Sequence, residues 1–338
     1  MSNFAIILNI LNKMKFFLII SCILNIIASE ERGIKMLDIK LIRENPDKVN
    51  ELLKRRNPEL SIDAVLEIDA ERRKIQAQAD ELRAKRKNDS QKIGMMKKNG
   101  ENTDAIQEEV RKLGDDIKAL EDKQTELDNK QRDILLHTPN IPDETTPIGH
   151  SEDDNVEVYK WGEPRKFDFE FKAHWDLCEE KNLVDFERGV KISQSRFTLY
   201  RGKGARLERA IINFFLDYHT QEQGYEEILP PFMANANTMT GTGQLPKFKE
   251  DMYKCVDEDL YLIPTAEVPV TNIYSGEILS EDDLPKYMTA YTPCFRRESG
   301  SAGRDTRGLI RVHQFNKVEL VKLCTPETRK EEHEKLTE

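Results

Sequence analysis

The chain has 338 residues, of which 34% are charged and 38% hydrophobic, and its formal net charge is −10. This composition argues against a disordered chain, and the length allows two domains. The five cysteines are scattered and contain no C-x-x-C pair, which argues for reduced thiols and against a disulfide framework or a structural zinc site.

The first 35 residues contain an apolar run that is similar to the core of a signal peptide. Lys13 and Lys15 precede this run, which covers residues 16–29. The run is too short for a comfortable membrane span. Two interpretations follow: a genuine export signal, or a start assigned too early, with Met36 as the authentic first residue.

Residues 62–136 have the spacing of an antiparallel helical arm. In the second half, side chains recur at alternating steps of four and three residues, which is an a/d seam. Its positions are Ile106, Val110, Leu113, Ile117, Leu120, Gln124, Leu127, Gln131 and Ile134. The first half repeats the pattern more loosely, at Ile68, Arg72, Ile75, Ala79, Leu82, Arg86, Asp89, Ile93 and Met96. A turn at residues 99–102 joins the halves, so the two helices must run antiparallel.

Charge is divided unequally between the two predicted helices. Residues 71–98 carry ten basic and four acidic side chains, whereas residues 101–133 carry eleven acidic and six basic ones. A basic helix can bind the phosphates of a nucleic acid even though the whole chain is acidic. Pairing between the two helices is the simpler interpretation, and we assign it to about half of the basic residues.

A Pro-rich linker at residues 138–155 leads into the last part of the chain, residues 156–338. There an apolar helical run at residues 210–218 precedes GYEEILPPFM, which contains Pro231. A turn-rich loop, TGTGQLPKF, covers residues 240–248, and the triplet at 265–267 lies inside YLIPTAEVPV. Taken alone, these segments indicate only a helix, a glycine stop, a strand and a loop.

The most informative segment is FRRESGSAGRDTRGLIRVHQFNKVE, residues 295–319. We expect Arg296 and Glu298 to share one face of a strand, and Arg311 and Phe315 to lie on a second strand. There a guanidinium can clamp phosphate oxygens, a carboxylate can accept from the adenine amino group, and an aromatic ring can cover the base. The alternative for FRRE alone is an exposed charged hairpin.

The same segment resembles motif 2 of the class II aminoacyl-tRNA synthetases. The outline of that motif is aromatic-Arg-x-Glu, a variable loop, and Arg or His-x-x-x-Phe, which RVHQF completes. The segments SAGRDTRGLIR and HQFNKVE are similar to the corresponding segments of the seryl-tRNA synthetase family. GYEEILPPFM resembles motif 1 of the class, TGTGQLPKF the loop that closes over serine, and residues 36–46 the family's N-terminal start.

The resemblance implies an α+β fold. Residues 36–137 would form a tRNA-binding domain with the long antiparallel coiled-coil arm, and residues 156–338 a class II catalytic domain with an antiparallel β-sheet flanked by helices. Motifs 1 and 2 are present, and no motif 3 follows them in the sequence, so we expect an incomplete catalytic domain. We also expect a last helix with Thr325 as its N-cap and Pro326 in its first turn.

The resemblance also implies roles for particular residues. The serine site would comprise Thr265, Ala266, Glu267 and Glu319. The ATP site would comprise Arg296, Arg297, Glu298, Val312 and Phe315. Of these, Arg296 would be the catalytic contact to the α-phosphate. The tRNA contacts would be Arg83, Lys85, Arg86 and Lys87. Pro231 would lie at a dimer interface, and no metal ligand is predicted in the chain.

The function implied by the resemblance is that of a serine–tRNA ligase. With ATP and Mg²⁺ it would convert serine to seryl-adenylate and then charge tRNA(Ser), with tRNA(Sec) as a second acceptor. A cytoplasmic homodimer is expected. Since a secreted synthetase would meet neither ATP nor tRNA, the early-start interpretation of residues 1–35 is preferred. Two alternatives stay open: a non-catalytic tRNA-binding fragment, and an amino acid:carrier protein ligase. The long arm argues against the second alternative, because in the family such an arm recognises tRNA.

Overall fold

The structure is a computed structural model that describes residues 37–143, 145–149, 151–299 and 307–338. The signal-like segment, residues 1–35, lies outside these ranges. Two compact units follow one another along the chain, with the boundary between Gly162 and Glu163. Each unit has hydrophobic core residues of its own. In the described ranges, no helix combines the length and apolarity required to cross a bilayer.

The first unit is helical. Its helices are α1 (Ile39–Glu44), α2 (Pro46–Arg56), α3 (Asp63–Lys98) and α4 (Asp104–His137). The Asp38 side chain caps α1 by accepting a hydrogen bond from the Lys40 backbone N–H at 2.8 Å. Pro46 begins α2, where the missing N–H of proline costs nothing. The core of this unit consists of Ile42, Val49, Leu53, Ile62, Val65 and Leu135.

The long helices α3 and α4 form an antiparallel arm. Ion pairs join Glu71 to Lys123 and Lys85 to Glu109, so residue numbers rise along α3 while they fall along α4. Every predicted seam position of α4 is buried or half-buried, and so is every one of α3 except Arg86, which is exposed. The predicted antiparallel arm is therefore confirmed.

A buried carboxylate that the seam pattern did not include fixes the base of the arm. Asp69 is fully buried. Arg43 of α1 donates two hydrogen bonds to it, at 2.8 and 2.6 Å, and Arg73 donates a third at 3.0 Å. The hydrogen bonds from Arg43 hold the pKa of Asp69 below its ordinary value, although burial alone would raise it.

The second unit combines helices with two small sheets. Its helices are α5 (His174–Glu180), α6 (Phe186–Ile192), α7 (Lys203–Gln221), α8 (Ala236–Gly241), α9 (Glu267–Thr271) and α10 (Arg329–Thr337). Its strands are β1 (Glu226–Glu227), β2 (Met233–Asn235), β3 (Leu260–Leu262), β4 (Lys286–Phe295) and β5 (Gln314–Leu323).

The larger sheet has the order β1-β4-β5. The short β1 runs parallel to β4, and β4 pairs antiparallel with β5 from Lys286↔Leu323 to Phe295↔Gln314. Strands β2 and β3 form a separate antiparallel pair. The main core of the sheet joins buried side chains of β4, β5, α9 and the residue just before α9: Met288, Ala290, Val321, Leu323, Val270 and Ala266. The α+β class and the antiparallel pairing are confirmed.

The predicted start of the last helix was wrong. Helix α10 begins at Arg329 with Thr328 at its N-cap position, not after Thr325. The Thr325 hydroxyl instead accepts from the Thr328 backbone N–H at 3.4 Å, within a turn at residues 326–328. This is the bond that an N-cap side chain makes to the third residue after it, so Thr325 caps the turn at residues 326–328 and the regular helix begins after that turn.

Candidate active site

One face of the β4–β5 pair carries the polar residues of the site. Phe315, Lys317 and Glu319 alternate along β5 and so share that face. Their cross-strand partners on β4 are Cys294, Thr292 and Ala290. All three partners are almost completely buried, and their side chains stand beside the polar ones on the same face of the sheet, where they form a closely packed floor of the site.

The triplet of residues 265–267 contacts this floor. It follows β3, and Glu267 is the first residue of α9. Thr265 Oγ1 donates to Glu319 Oε2 at 2.5 Å, and the backbone N–H of Glu267 donates to the same oxygen at 3.2 Å. Ala266 between them is fully buried and packs in the core. The structure thus joins predicted residues that lie 54 positions apart in the sequence.

Only one of the two oxygens of the Glu319 carboxylate has hydrogen-bond partners among the described residues. The side chain is 1% exposed, and its Oε2 also pairs with Lys317 Nζ at 2.9 Å. Among the described residues, its other oxygen, Oε1, is buried without a hydrogen-bond partner. Buried acceptors are nearly always paired, because an unpaired one costs about 1–3 kcal/mol. This oxygen therefore marks a place where a ligand can supply a donor.

Arg296 lies between the triplet and the aromatic ring of β5. Its Nε donates to the Pro264 backbone oxygen at 3.3 Å, and its guanidinium carbon lies 5.2 Å from the centre of the Phe315 ring. The backbone of Arg296 donates to the His313 oxygen at 2.9 Å, which keeps the two chains paired beyond the strand ends. A cation and an aromatic face thus occupy adjacent positions next to the triplet.

The predicted strand placement of Arg296, Glu298 and Arg311 was wrong, because β4 ends at Phe295 and β5 begins only at Gln314. Glu298 has a φ of 50°, in the left-handed region, so the chain turns there and side-chain alternation no longer applies. Arg311 Nη1 nevertheless donates to Glu298 Oε2 at 3.3 Å, and Val312 beside it is buried. The predicted residues are therefore brought together by a turn and not by a strand face.

Asp251 holds the beginning of the loop after β4. Its backbone oxygen accepts from the Arg297 N–H at 2.9 Å, and its Oδ1 accepts from the backbone N–H and the hydroxyl of Ser299 at 2.8 and 2.5 Å. The Arg297 side chain itself is exposed. Sequence reasoning missed Asp251, since an acidic residue within KEDMY has no distinguishing pattern.

Sequence reasoning also missed Lys317 and His174. Lys317 Nζ donates to Thr265 Oγ1 at 2.6 Å, in addition to its pairing with Glu319. Alternation from Phe315 to Glu319 would have placed Lys317 on the same face, so this signal was available. His174 Nε2 accepts from the Leu309 N–H at 2.9 Å, and no sequence signal links positions so far apart.

The four predicted tRNA contacts differ in their surroundings on α3. Arg83 donates to Asp80 at 2.6 Å and to Glu121 of α4 at 2.8 Å, and Lys85 donates to Glu109 of α4 at 2.7 Å. Arg86 and Lys87 are exposed, and neither forms an ion pair within the part of the chain that the structure describes.

Pro231 is exposed in the motif 1 segment, and large apolar side chains near it in the sequence are exposed as well. Leu229 is 78% exposed and Met233 36%. Helix α7 adds Phe214 and Tyr218, which are 61% and 46% exposed. Scattered exposed apolar residues are ordinary, but several on two consecutive segments form a candidate interaction surface.

Comparison with protein-family models gives two matches. Residues 36–142 match the seryl-tRNA synthetase N-terminal domain. Residues 251–338 match the tRNA synthetase class II core domain of the G, H, P, S and T enzymes. The first range contains the arm, and the second contains the triplet and the whole segment of residues 295–319.

Curated relatives and solved structures agree with these matches. The serine–tRNA ligase of Syntrophomonas wolfei is 56% identical over 302 residues, which is 89% of this chain and 71% of the relative. That of Clostridium tetani is 53% identical and is covered to 72%. A crystal structure of seryl-tRNA synthetase from Pyrococcus horikoshii complexed with ATP has a TM-score of 0.80 at 37% identity, over 89% of this chain and 72% of that one.

A second solved structure is more distant in sequence. The cytoplasmic serine–tRNA ligase of Naegleria fowleri in complex with AMP has a TM-score of 0.70 at 26% identity, with 85% of this chain and 70% of that chain covered. Sequence, family models and three-dimensional structure therefore agree, and the chain belongs to the seryl-tRNA synthetase family of class II aminoacyl-tRNA synthetases.

Proposed function

We propose that this protein activates serine with ATP and transfers the seryl group to tRNA(Ser), with tRNA(Sec) as a further acceptor. The observation that carries the proposal is the buried cluster of Thr265, Glu267 and Glu319 directly beside Arg296 and Phe315. The cluster thus offers hydrogen-bond partners for a small polar amino acid, and the adjacent Arg296 and Phe315 offer partners for a nucleotide.

Serine demands this kind of subsite. It is too small to be selected by apolar area, since one methylene is worth only about 1–3 kcal/mol, so buried polar groups must discriminate. Glu319 and Thr265 are 3% exposed and Glu267 is 6% exposed. An amino acid with an apolar side chain would leave a buried partner of the serine hydroxyl unpaired, which is costly. We assign these three side chains to serine and Ala266 to the packing that holds them.

The nucleotide would bind along the segment that begins at Arg296. Its guanidinium is our candidate for the α-phosphate, and Phe315, in contact with it, for stacking on the base. Glu298 would accept from the adenine amino group, Val312 would line the base, and the exposed Arg297 would reach outer phosphates. The serine carboxylate itself attacks the α-phosphate, so the protein has to position reactants and stabilise charge without a nucleophile of its own.

ATP would enter as its magnesium complex. Within the described ranges, no group of three His, Cys, Asp or Glu side chains could hold a metal ion. Mg²⁺ at nucleotide sites is usually held by one or two carboxylates together with the substrate phosphates, so we treat it as part of the nucleotide substrate.

The arm is our candidate for tRNA recognition. Arg86 and Lys87 are exposed without ion pairs among the described residues, which makes them the stronger candidates for phosphate contacts. Arg83 and Lys85 already form ion pairs with acidic residues of α4 and would have to exchange these partners for phosphates of the tRNA. The apolar surface near Pro231 is our candidate for a homodimer interface. Because ATP and tRNA are its substrates, we place the protein in the cytoplasm.

Serine-dependent exchange between ATP and pyrophosphate tests the proposal. The protein should catalyse this exchange with serine, and not with alanine or threonine under the same conditions. Tight binding of tRNA(Ser) without any serine-dependent exchange would favour the non-catalytic binding fragment, whose arm and core form a compact unit of their own. Exchange with alanine as fast as with serine would contradict the assignment of the subsite.

A further inference from the structure

Asp251 contacts both sides of the turn that follows β4. Its carbonyl oxygen accepts a hydrogen bond from the Arg297 N–H at 2.9 Å, and its Oδ1 accepts from the Ser299 N–H and hydroxyl at 2.8 and 2.5 Å. These bonds flank Glu298. One residue from another part of the chain therefore fixes the backbone on either side of Glu298.

Asp251 is itself held in place by its neighbours in the sequence. It ends a single 3₁₀ turn, Lys249–Asp251, and its N–H donates to the Phe248 oxygen at 3.0 Å. The next residue, Met252, is 5% exposed and packs in a hydrophobic core around Ile263. Because the core sets the position of Asp251, its side chain can act as an anchor for the turn after β4.

Glu298 has a backbone conformation that requires such an anchor. Its φ of 50° lies in the left-handed region, which is unfavourable for a residue with a Cβ atom. A residue other than glycine persists there only where surrounding contacts fix it. In this conformation the Glu298 carboxylate accepts from Arg311 Nη1 at 3.3 Å, and the side chain is 15% exposed. Relaxation to a negative φ would point the side chain in another direction and break this contact.

We propose that Asp251 is a positioning residue for nucleotide recognition: by holding Arg297 and Ser299, it keeps Glu298 in the left-handed conformation that presents its carboxylate to the adenine amino group. The inference rests on the proposed function, which assigns Glu298 to that amino group. Asp251 acts through Glu298 and is not assigned a contact with the nucleotide. Without the bonds to Ser299, the turn can relax, and the preference for a base with an amino group is lost.

The test compares Asp251→Ala and Asp251→Asn with the unmodified protein. Asp251→Ala removes the bonds to Ser299 and keeps the backbone bonds to Phe248 and Arg297. Binding by calorimetry and KM in pyrophosphate exchange are measured for ATP and for purine riboside 5′-triphosphate, which lacks the amino group. The preference for ATP should fall about tenfold or more, while KM for serine stays within about twofold. Asp251→Asn keeps an oxygen acceptor for Ser299 and should recover most of the preference.

A double-mutant cycle shows whether Asp251 acts through Glu298. Glu298→Ala removes the acceptor of the amino group, so adding Asp251→Ala should not lower the preference for ATP further. Additive losses in the double variant would overturn the inference. An unchanged preference in Asp251→Ala would also overturn it, because a role in stability alone would lower the melting temperature and leave the choice of base intact.

Asp38 in the first unit provides the matched control. Its Oδ1 accepts from the Lys40 backbone N–H at 2.8 Å, the same kind of bond at the same length as that from Ser299 to Asp251. Asp38→Ala should leave the preference for ATP unchanged, measured well below the melting temperature of each variant, and an equal fall in this control would overturn the inference. A preference for ATP that depends on Asp251, in a protein without serine-dependent exchange, would support the inference and refute the proposed reaction. Equal binding of the two nucleotides by the unmodified protein would overturn both the assignment of Glu298 and the inference.

Discussion

Charged residues are abundant in both units of the molecule, but they are held in different environments. On the arm, the partners of Arg83–Glu121 are 39% and 47% exposed, and those of Lys85–Glu109 are 52% and 51% exposed. In the second unit, Lys317–Glu319 and Lys322–Glu332 have side chains that are at most 12% exposed. Water therefore screens the ion pairs between α3 and α4, whereas it is largely excluded from these two lysine–glutamate pairs of the second unit.

The difference has an energetic consequence. Exposed ion pairs contribute little to stability, because water and salt replace the partner at small cost. A buried charge that loses its partner stays in a medium of low polarity, where it is costly. We therefore expect single substitutions to separate the units: changes to arm charges should affect binding of nucleic acid, and changes to sheet charges should affect folding or catalysis.

The largest effect on stability is expected from Lys322→Met. Glu332 keeps its hydrogen bonds from Tyr287 at 2.5 Å and Lys335 at 3.2 Å, but loses its one buried cation. Breaking a buried ion pair typically costs about 3–5 kcal/mol, so the free energy of unfolding in urea should fall by about that amount. Lys85→Met on the arm should change it far less.

Replacement of the whole pair provides the control for this prediction. Burial alone raises the pKa of Glu332, but hydrogen bonds from Tyr287, Lys322 and Lys335 outweigh it and hold that pKa below its usual value. Lys322→Met combined with Glu332→Leu also removes the carboxylate that lost its buried cation and should recover most of the loss. If the double variant were less stable than Lys322→Met, the carboxylate would not be the source of the cost.

Catalysis should respond most to Arg296→Ala. If its guanidinium stabilises charge on the reacting phosphate, exchange with serine should fall by about 10²–10³-fold, while tRNA affinity stays nearly unchanged. Exchange assays and filter binding of tRNA measure the two quantities separately. Exchange at the rate of the unmodified protein would show that Arg296 does not contact the reacting phosphate.

The arm offers the opposite experiment, with two matched double variants. Replacement of Arg86 and Lys87 by Ser should weaken tRNA binding and reduce the slope of log affinity against log salt by about one for each phosphate that is no longer neutralised. Replacement of Arg83 and Lys85 by Ser should have a smaller effect, because α4 already shares their charges. Both variants should retain adenylate formation. Equal effects of the two pairs would mean that these intramolecular ion pairs open when tRNA binds.

The units also differ in how much the sequence could predict. The seam of the arm was predictable because burial in a two-helix pair depends on spacing within each helix. The contact of Thr265 with Glu319 depends on strand register and on the approach of α9, so only the family resemblance linked these residues. Asp69 and Lys317 were missed for a common reason: charged side chains at buried positions break the apolar pattern, and each has a partner far away in the sequence, Arg43 for Asp69 and Thr265 for Lys317.

The smallest expected effect is a pH dependence that originates at His174. Burial lowers the pKa of His174, and the nearby Asp176 only partly opposes this. The neutral ring accepts a hydrogen bond from the Leu309 N–H and stands edge-on to the Trp175 ring, with 4.9 Å between the two ring centres. The guanidinium carbon of Arg307 lies 5.3 Å from the centre of the same Trp175 ring. A lowered pKa means that the unfolded chain binds the proton more readily. The contribution of His174 to stability is therefore complete above its ordinary pKa of about 6.5 and is lost as the pH falls through the lower folded value.

His174→Gln tests this origin of the pH dependence, because a Gln side chain can accept the Leu309 N–H with an oxygen and does not titrate. Melting temperatures between about pH 7.5 and pH 5, a range from about one unit above to about one and a half units below the ordinary histidine pKa, should fall less in this variant than in the unmodified protein. Asp176→Asn removes the charge that favours protonation and so lowers the folded pKa further, which should extend the loss of stability to lower pH. Curves for His174→Gln and the unmodified protein that run parallel through this range would place the acid sensitivity elsewhere. The hydrogen bond to Leu309 would then contribute to the fold independently of protonation.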